Sequence, residues 1–154
     1  MNQEERIVKT VSIGHGVPPY KRALISLLYT GYQVSDRLNE QLKPFGLSEQ
    51  QVNVLHIIKG QNDQPCNLCM IQEQMMHKMS NATRLVEKLR LKGLVTRDIC
   101  EDNRRRVEIC ITKKGLELLE AIEKKLSKYH FERGMQLTDK EYTQLADLLD
   151  KMRG

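Results

Sequence analysis

The segment Gly93 to Thr112, GLVTRDICEDNRRRVEICIT, interrupts a chain that otherwise reads as helix. Two short β-type runs flank a knot of charge, Glu101 to Arg106, that contains three consecutive arginines. Val107, Ile109 and Ile111 alternate with Arg106, Glu108 and Cys110, the period-two pattern of a strand with one apolar face. Asp102-Asn103 supplies the turn between the runs. One charged hairpin inside a helical chain limits the fold to a mainly α domain with a small β-wing.

On either side of the hairpin, apolar residues recur at helical spacing. Residues 1–18 show no clear period and read as a flexible or extended arm. From Tyr20, Leu24, Leu27, Leu28, Val34, Leu38 and Leu42 trace a first helix, which Pro44 and Gly46 end. Ser48 with Gln51 forms a capping box for a second helix through Val52, Leu55 and Ile58, stopped near Gly60. After the turn-forming QNDQP, a short strand through Cys66 is expected. Asn67 then caps a third helix with Leu68, Ile71 and Met75 on its buried stripe. Ser80 is the expected cap of a fourth, on which Ala82, Leu85, Val86 and Leu89 share one face and Asn81, Arg84 and Lys88 another. Gly93 ends it as a residue free to take positive φ. Beyond the hairpin, Thr112 opens a fifth helix with Leu116, Leu119, Ile122, Leu126 and Tyr129 on one stripe. Thr138 with Glu141 boxes a sixth, with Tyr142, Leu145, Leu148, Leu149 and Met152 expected inward. Six helices, with a helix-turn-helix directly before the hairpin, make a winged helix-turn-helix, a layout that puts one helix in a DNA major groove.

At 154 residues and 40% apolar content, the chain is most simply one domain with its own core. Its charged residues, 29%, are mixed in sign, which argues against global disorder. No apolar run is long enough to span a bilayer, and MNQEERIVKT lacks the apolar core of a signal peptide, so a cytoplasmic protein is expected. The net charge of +5 is unevenly placed. Lys78 to Lys114 holds eleven Lys/Arg against five Asp/Glu, a net +6, whereas the remaining chain holds fourteen against fifteen, a net −1. A basic excess so concentrated attracts polyanions.

That window carries the chemistry of nucleic-acid recognition. A hairpin tip is narrow enough for a minor groove, where a weakly hydrated guanidinium tolerates partial desolvation and meets a negative potential. Asp102 and Glu101 can pair with Arg104 or Arg106 and so aim Arg105 outward. At the start of the fourth helix, Ser80 and Asn81 sit where free N–H groups and the helix dipole favour a phosphate. Arg84 can donate two hydrogen bonds to a guanine edge and Asn81 can pair with adenine, while Lys78 and Lys88 suit phosphates. Each also has an ordinary structural use: Ser80 as a cap, Asn81 as a surface amide, Arg84 as a partner of Glu87 or Glu73.

Residues from roughly Leu47 to Gly115 resemble the MarR family, the multiple antibiotic resistance regulators. The resemblance rests on LSEQQVNVL at Leu47, MSNATRLVEKLRLKGLVTR from Met79 and EDNRRRVEICITKKG from Glu101. It implies a homodimeric winged-helix repressor or activator of transcription, read here as a repressor. Its wing arginine would be Arg105, with Arg104 beside it, and Ser80, Asn81, Thr83 and Arg84 match the family's DNA-reading helix start. One departure is Asn103, where the family usually has Asp; Asn cannot make the same ion pair, and Asp102 is the available substitute.

The terminal helices carry wide apolar stripes that a winged-helix core does not need. Leu24, Leu28, Leu119, Ile122, Leu126, Leu145 and Leu149 are therefore expected to be covered by a second copy. The organisation is then an arm at 1–18 and one domain at 19–154, with a DNA-binding lobe at about 47–112 and dimerisation helices at about 20–43 and 113–153. A two-fold dimer predicts a pseudopalindromic duplex site with half-sites about one helical turn apart. The resemblance also implies release by a small aromatic effector. Tyr29, Tyr32 and His56 could line its cleft, but at helical spacing they serve equally as packing residues, and no ligand-binding residue is assigned.

An alternative uses the thiols. Cys66 and Cys69 have redox or metal spacing, and with Cys100 and Cys110 on the hairpin arms they could form a thiol- or metal-responsive site. The second pair is not a CxxC knuckle, and Cys also serves β positions as a small hydrophobe, so no metal is assigned. In MIQEQMMHKM, Met75 and Met76 are read as core filler within a helix and Met79 as the start of the next, with His77 near DNA or solvent rather than a ligand. His15, His56, His77 and His130 are scattered and no nucleophile elbow, phosphate loop or HExxH occurs, so neither an enzyme nor a cofactor is expected. A protein-interaction module docking an acidic partner on the basic wing is the remaining rival.

Overall fold

In the computed structural model the described residues are 17–62, 64–76, 79–99, 107–133 and 137–154, with backbone alone at 129–133. Six α-helices and one two-stranded antiparallel sheet are present among them. Helix α1 spans Pro19–Leu42 and passes into a single 3-10 turn, Lys43–Phe45. It ends where Gly46, at φ 65°, takes the left-handed conformation that L side chains avoid.

Helix α2, Glu49–Lys59, opens on the capping box read from Ser48 and Gln51. Ser48 Oγ accepts from the Gln51 N–H at 3.3 Å, and Gln51 Oε1 accepts from the Ser48 N–H at 3.0 Å. That reciprocal pair lets Gln51 be buried without an unmet polar group. Helix α3, Leu68–Gln74, is capped by Asn67 Oδ1 on the Met70 N–H at 2.9 Å. Helix α4 covers Ala82–Leu91. Strands β1 (Val95–Ile99) and β2 (Val107–Ile111) follow, then α5 (Lys113–Arg133) and α6 (Asp139–Arg153). The Thr138–Glu141 capping box of α6 also forms as read.

The strands pair in register from Val95 with Ile111 to Ile99 with Val107. The short strand expected at Cys66 is a single bridge to the outer edge of β2: the Cys66 N–H donates to Ile109 O at 3.0 Å, and the Ile109 N–H donates back at 2.8 Å. This bridge ties the start of α3 to the wing.

One core joins the helix-turn-helix to the wing and to α5. Val54, Leu55, Ile71, Met75, Val86, Leu89, Leu94 and Ile109 are each at most 2% exposed. Full burial of one such side chain contributes about 1.5–3 kcal/mol. The period that placed Ala82, Leu85, Val86 and Leu89 on one face of α4 is borne out, since all four are buried. Helix α6 differs from expectation. Its apolar stripe does not point inward within the chain: Leu145, Leu148 and Met152 are 44%, 57% and 50% exposed. No helix among the described residues is long and apolar enough to cross a membrane.

Candidate nucleic-acid interface

Helix α4 presents a polar face to solvent because its apolar positions are spent on the core. Thr83, Arg84 and Lys88 are exposed on that face. Among the described residues Arg84 makes no ion pair; Glu87, weighed above as its partner, is engaged elsewhere. Lys78 lies outside the described residues.

The helix start corrects one expectation. Its cap is Asn81, not Ser80: Asn81 Oδ1 accepts from the Arg84 N–H at 3.0 Å. The next donor, the Ala82 N–H, goes to Gln72 Oε1 on α3 at 3.2 Å. Ala82 must sit in the core, at 4% exposure, and this fixes which of two adjacent cap-forming residues occupies the cap. One lone pair of Asn81 Oδ1 is thus committed to the backbone, while its amide hydrogens remain for a base edge.

The wing stands against one flank of α4. Leu94 N–H donates to Leu89 O at 3.0 Å, and Leu89, Leu94 and Val95 are buried together. Outside that apolar contact runs an ionic strip. Glu87 takes Arg90 Nε at 3.0 Å and Arg90 Nη2 at 2.8 Å, a bidentate pair, and Arg97 Nη1 of β1 stands 3.9 Å from the same carboxylate. The Arg90 hydrogen bonds, with the charges of Arg90 and Arg97, hold the Glu87 carboxyl below the usual carboxylate range. The strip joins the polar flank of α4 to the wing strand. Arg104, Arg105 and the other residues between Ile99 and Val107, with Asn103 and its acidic neighbours, lie outside the described residues.

A tight splice joins α4, the wing and α5. Thr112 Oγ1 donates to Gly93 O at 2.8 Å and accepts from the Gly115 N–H at 3.0 Å, while the Thr112 N–H donates to Leu94 O at 3.0 Å. Lys114 Nζ reaches Lys92 O at 2.9 Å, and Lys92 Nζ reaches Gly46 O. Gly115 is required by proximity: a Cβ there would lie 2.3 Å from Leu94 O and 2.8 Å from Ile111 Cγ1. Gly93, at φ 71°, supplies the left-handed turn.

The residues expected to meet a second copy divide in two. Leu119 and Ile122 are 0% exposed within the single chain and belong to its own core, so they have no surface left for a partner; that expectation is corrected. Their stripe packs α5 on α2, and Leu126 is partly buried against the same core. Leu24, Leu28 and Leu145 are 45%, 74% and 44% exposed, and Leu149 is half-buried. Lys125 further anchors α5 to α1, donating to Gln41 O at 3.1 Å with its Nζ 5.3 Å from the Phe45 ring centroid.

The other sequence candidates disperse. Tyr29 Oη accepts from Gln33 Nε2 at 2.8 Å, and Tyr32 projects into solvent. His56 Nδ1 lies 3.8 Å from Glu123 on α5. Cys66 is buried and its thiol points to Ile109 O at 3.4 Å; burial pushes its pKa up. Cys69 is exposed and donates to Glu73 Oε1 at 3.3 Å, which also holds it protonated. Protonated thiols are poor nucleophiles and poor metal ligands. Among the described residues no group of three or more His, Cys, Asp or Glu is placed to hold a metal ion; Cys100 lies outside them. Met75 fills the core as read, whereas Met76 and Met79 are exposed. His77 lies outside the described residues.

Comparison with known proteins places this geometry. The MarR family model matches residues 47–107. A MarR-family transcriptional regulator from Rhodococcus sp. RHA1 superposes with a TM-score of 0.74 at 24% identity, covering 88% of this chain and 94% of that one. CouR from Rhodococcus jostii RHA1, solved with p-coumaroyl-CoA bound, gives 0.69 at 25% identity, covering 83% and 89%. BpsR of Bordetella bronchiseptica, whose DNA binding is regulated by 6-hydroxynicotinic acid, gives 0.69 at 21% identity, covering 83% and 91%. Among curated proteins none matches significantly.

Proposed function

We propose that this chain, whose residues 47–107 belong to the MarR family of transcriptional regulators, is a sequence-specific DNA-binding repressor that works as a homodimer. The observation that carries the reading is the shared surface of α4 and the wing. The solvent face of α4, with Arg84 and Lys88 exposed, is continuous through the Glu87–Arg97 pair with the strand that leads to the three wing arginines. A helix and a ribbon so joined suit adjacent major and minor grooves. In this reading Arg84 and Thr83 meet base edges, Asn81 offers its amide, and Ser80, Lys78 and Lys88 hold phosphates. Arg104 and Arg105 enter the minor groove.

The division into a DNA-binding lobe at about 47–112 and dimerisation helices at about 20–43 and 113–153 belongs to the same proposal. Support comes from the apolar side chains left in solvent on α1 and α6, Leu24, Leu28, Leu145 and Leu148 among them. Exposed apolar side chains of this kind are the surface a second copy would cover. A small aromatic effector is the proposed release signal, by likeness to CouR and BpsR. Selection of bound sequences from a pool of random duplexes tests the proposal. A two-fold symmetric site, its halves about one helical turn apart, is the expected result; recovery of unrelated sequences would refute it.

A further inference from the structure

The ionic strip between α4 and β1 sets a carboxylate on the surface proposed to face DNA. Glu87 occupies the Nε/Nη2 edge of Arg90 through two hydrogen bonds and stands 3.9 Å from Arg97. The three side chains are 32–44% exposed, so water and a polyanion can both reach them. Together they present a net charge of +1 where the two arginines alone would present +2.

The carboxylate is not needed to hold the wing. Leu89, Leu94 and Val95, each at most 2% exposed, and the Leu94-to-Leu89 backbone hydrogen bond already fix β1 against α4. An exposed ion pair adds little to such a contact. Its effect falls on whatever approaches the surface. On the DNA-binding reading, on which this inference rests, the strip lies between the helix in one groove and the wing in the next, where the sugar-phosphate ridge must pass.

We propose that Glu87 restrains non-specific DNA binding by occupying Arg90 and Arg97, so that base contacts from α4 weigh more in the choice of site. The depressed Glu87 pKa keeps the carboxylate charged throughout the neutral range. A carboxylate facing phosphates repels them at every sequence alike, and its removal frees two guanidiniums that bind phosphate without regard to base.

The test compares the full chain, Glu87→Gln, and Glu87→Gln combined with Arg90→Gln and Arg97→Gln. The probe is a 30-base-pair duplex of mixed sequence, followed by fluorescence anisotropy between 50 and 200 mM salt. Glu87→Gln should bind more tightly at the low-salt end. It should also lose about 3.5-fold more affinity than the parent over that fourfold salt range for each phosphate newly engaged. The combined variant should lose the extra salt dependence, and an unchanged thermal melt for Glu87→Gln shows the fold intact. If the parent binds with salt dependence and Glu87→Gln matches it in affinity and slope, the restraint is refuted and the DNA reading stands. If neither the parent nor Glu87→Gln binds the duplex at 50 mM salt, both readings are overturned.

Discussion

Gly115→Ala should destabilise this protein although it replaces a helical glycine with the best helix former. In an open helix that exchange gains up to about 1 kcal/mol. At Gly115 the new methyl would fall 2.3 Å from Leu94 O, 2.8 Å from Ile111 Cγ1 and 3.2 Å from Leu94 C. Two of these are backbone atoms, which cannot swing aside. Leu94 O is further held by the Thr112 N–H at 3.0 Å. Overpacking of this kind costs roughly 1–3 kcal/mol. Parting α5 from the turn after α4 strains a hydrogen bond worth about 1 kcal/mol. With the helical gain subtracted, a net loss of about 1–3 kcal/mol is expected, or roughly 2–4 °C in Tm for each kcal/mol in a chain of this size. The control is Gly31→Ala in α1, where a Cβ meets nothing within 4 Å; stability should rise by about 0.5–1 kcal/mol. Urea unfolding at fixed protomer concentration reads both, since association would otherwise shift the midpoint. If Gly115→Ala is as stable as the parent, the splice is looser than described and α5 is not locked to the wing.

Asn81→Ala should cost about 1 kcal/mol and Ser80→Ala far less, a difference that urea midpoints resolve because Asn81, and not Ser80, caps the α4 backbone. Leu28→Glu should leave the fold intact and yield a monomer in sedimentation. Leu119→Ala, inside the chain's own core, should instead lose about 2–5 kcal/mol. Cys69 should alkylate only at higher pH than a free thiol, because Glu73 raises its pKa. Glu73→Gln should move the alkylation midpoint to lower pH, and an unmoved midpoint would show that Glu73 is not the cause.

Local signals carried most of the fold. Ser48 with Gln51, Asn67, and Thr138 with Glu141 cap where their spacing puts them, because capping is settled within four residues. The strand pattern from Val107 to Ile111 was equally legible, as period two admits one register for an apolar face. What failed needed partners distant in sequence. Ser80 and Asn81 are equally good caps; the choice falls to Asn81 because Gln72, ten residues before Ala82, takes the neighbouring N–H. Leu119 and Leu145 lie on similar stripes, and nothing local shows that one is buried by α2 while the other stays in solvent. For the interface, the solvent positions of Arg84 and Lys88 followed from helical period alone. Glu87 was visible only as a possible partner of Arg84, since Arg97 approaches it through the hairpin fold and not through sequence spacing.

The claim on which the functional account depends is that the solvent face of α4 reads bases. It is tested most directly by measuring Arg84→Ala against the parent on a selected duplex and on every single-base variant of it. A side chain that bonds one guanine edge should lose about 1–3 kcal/mol of discrimination at one position in each half-site, and little elsewhere. Uniform weakening at every sequence, or no weakening at all, would contradict the account.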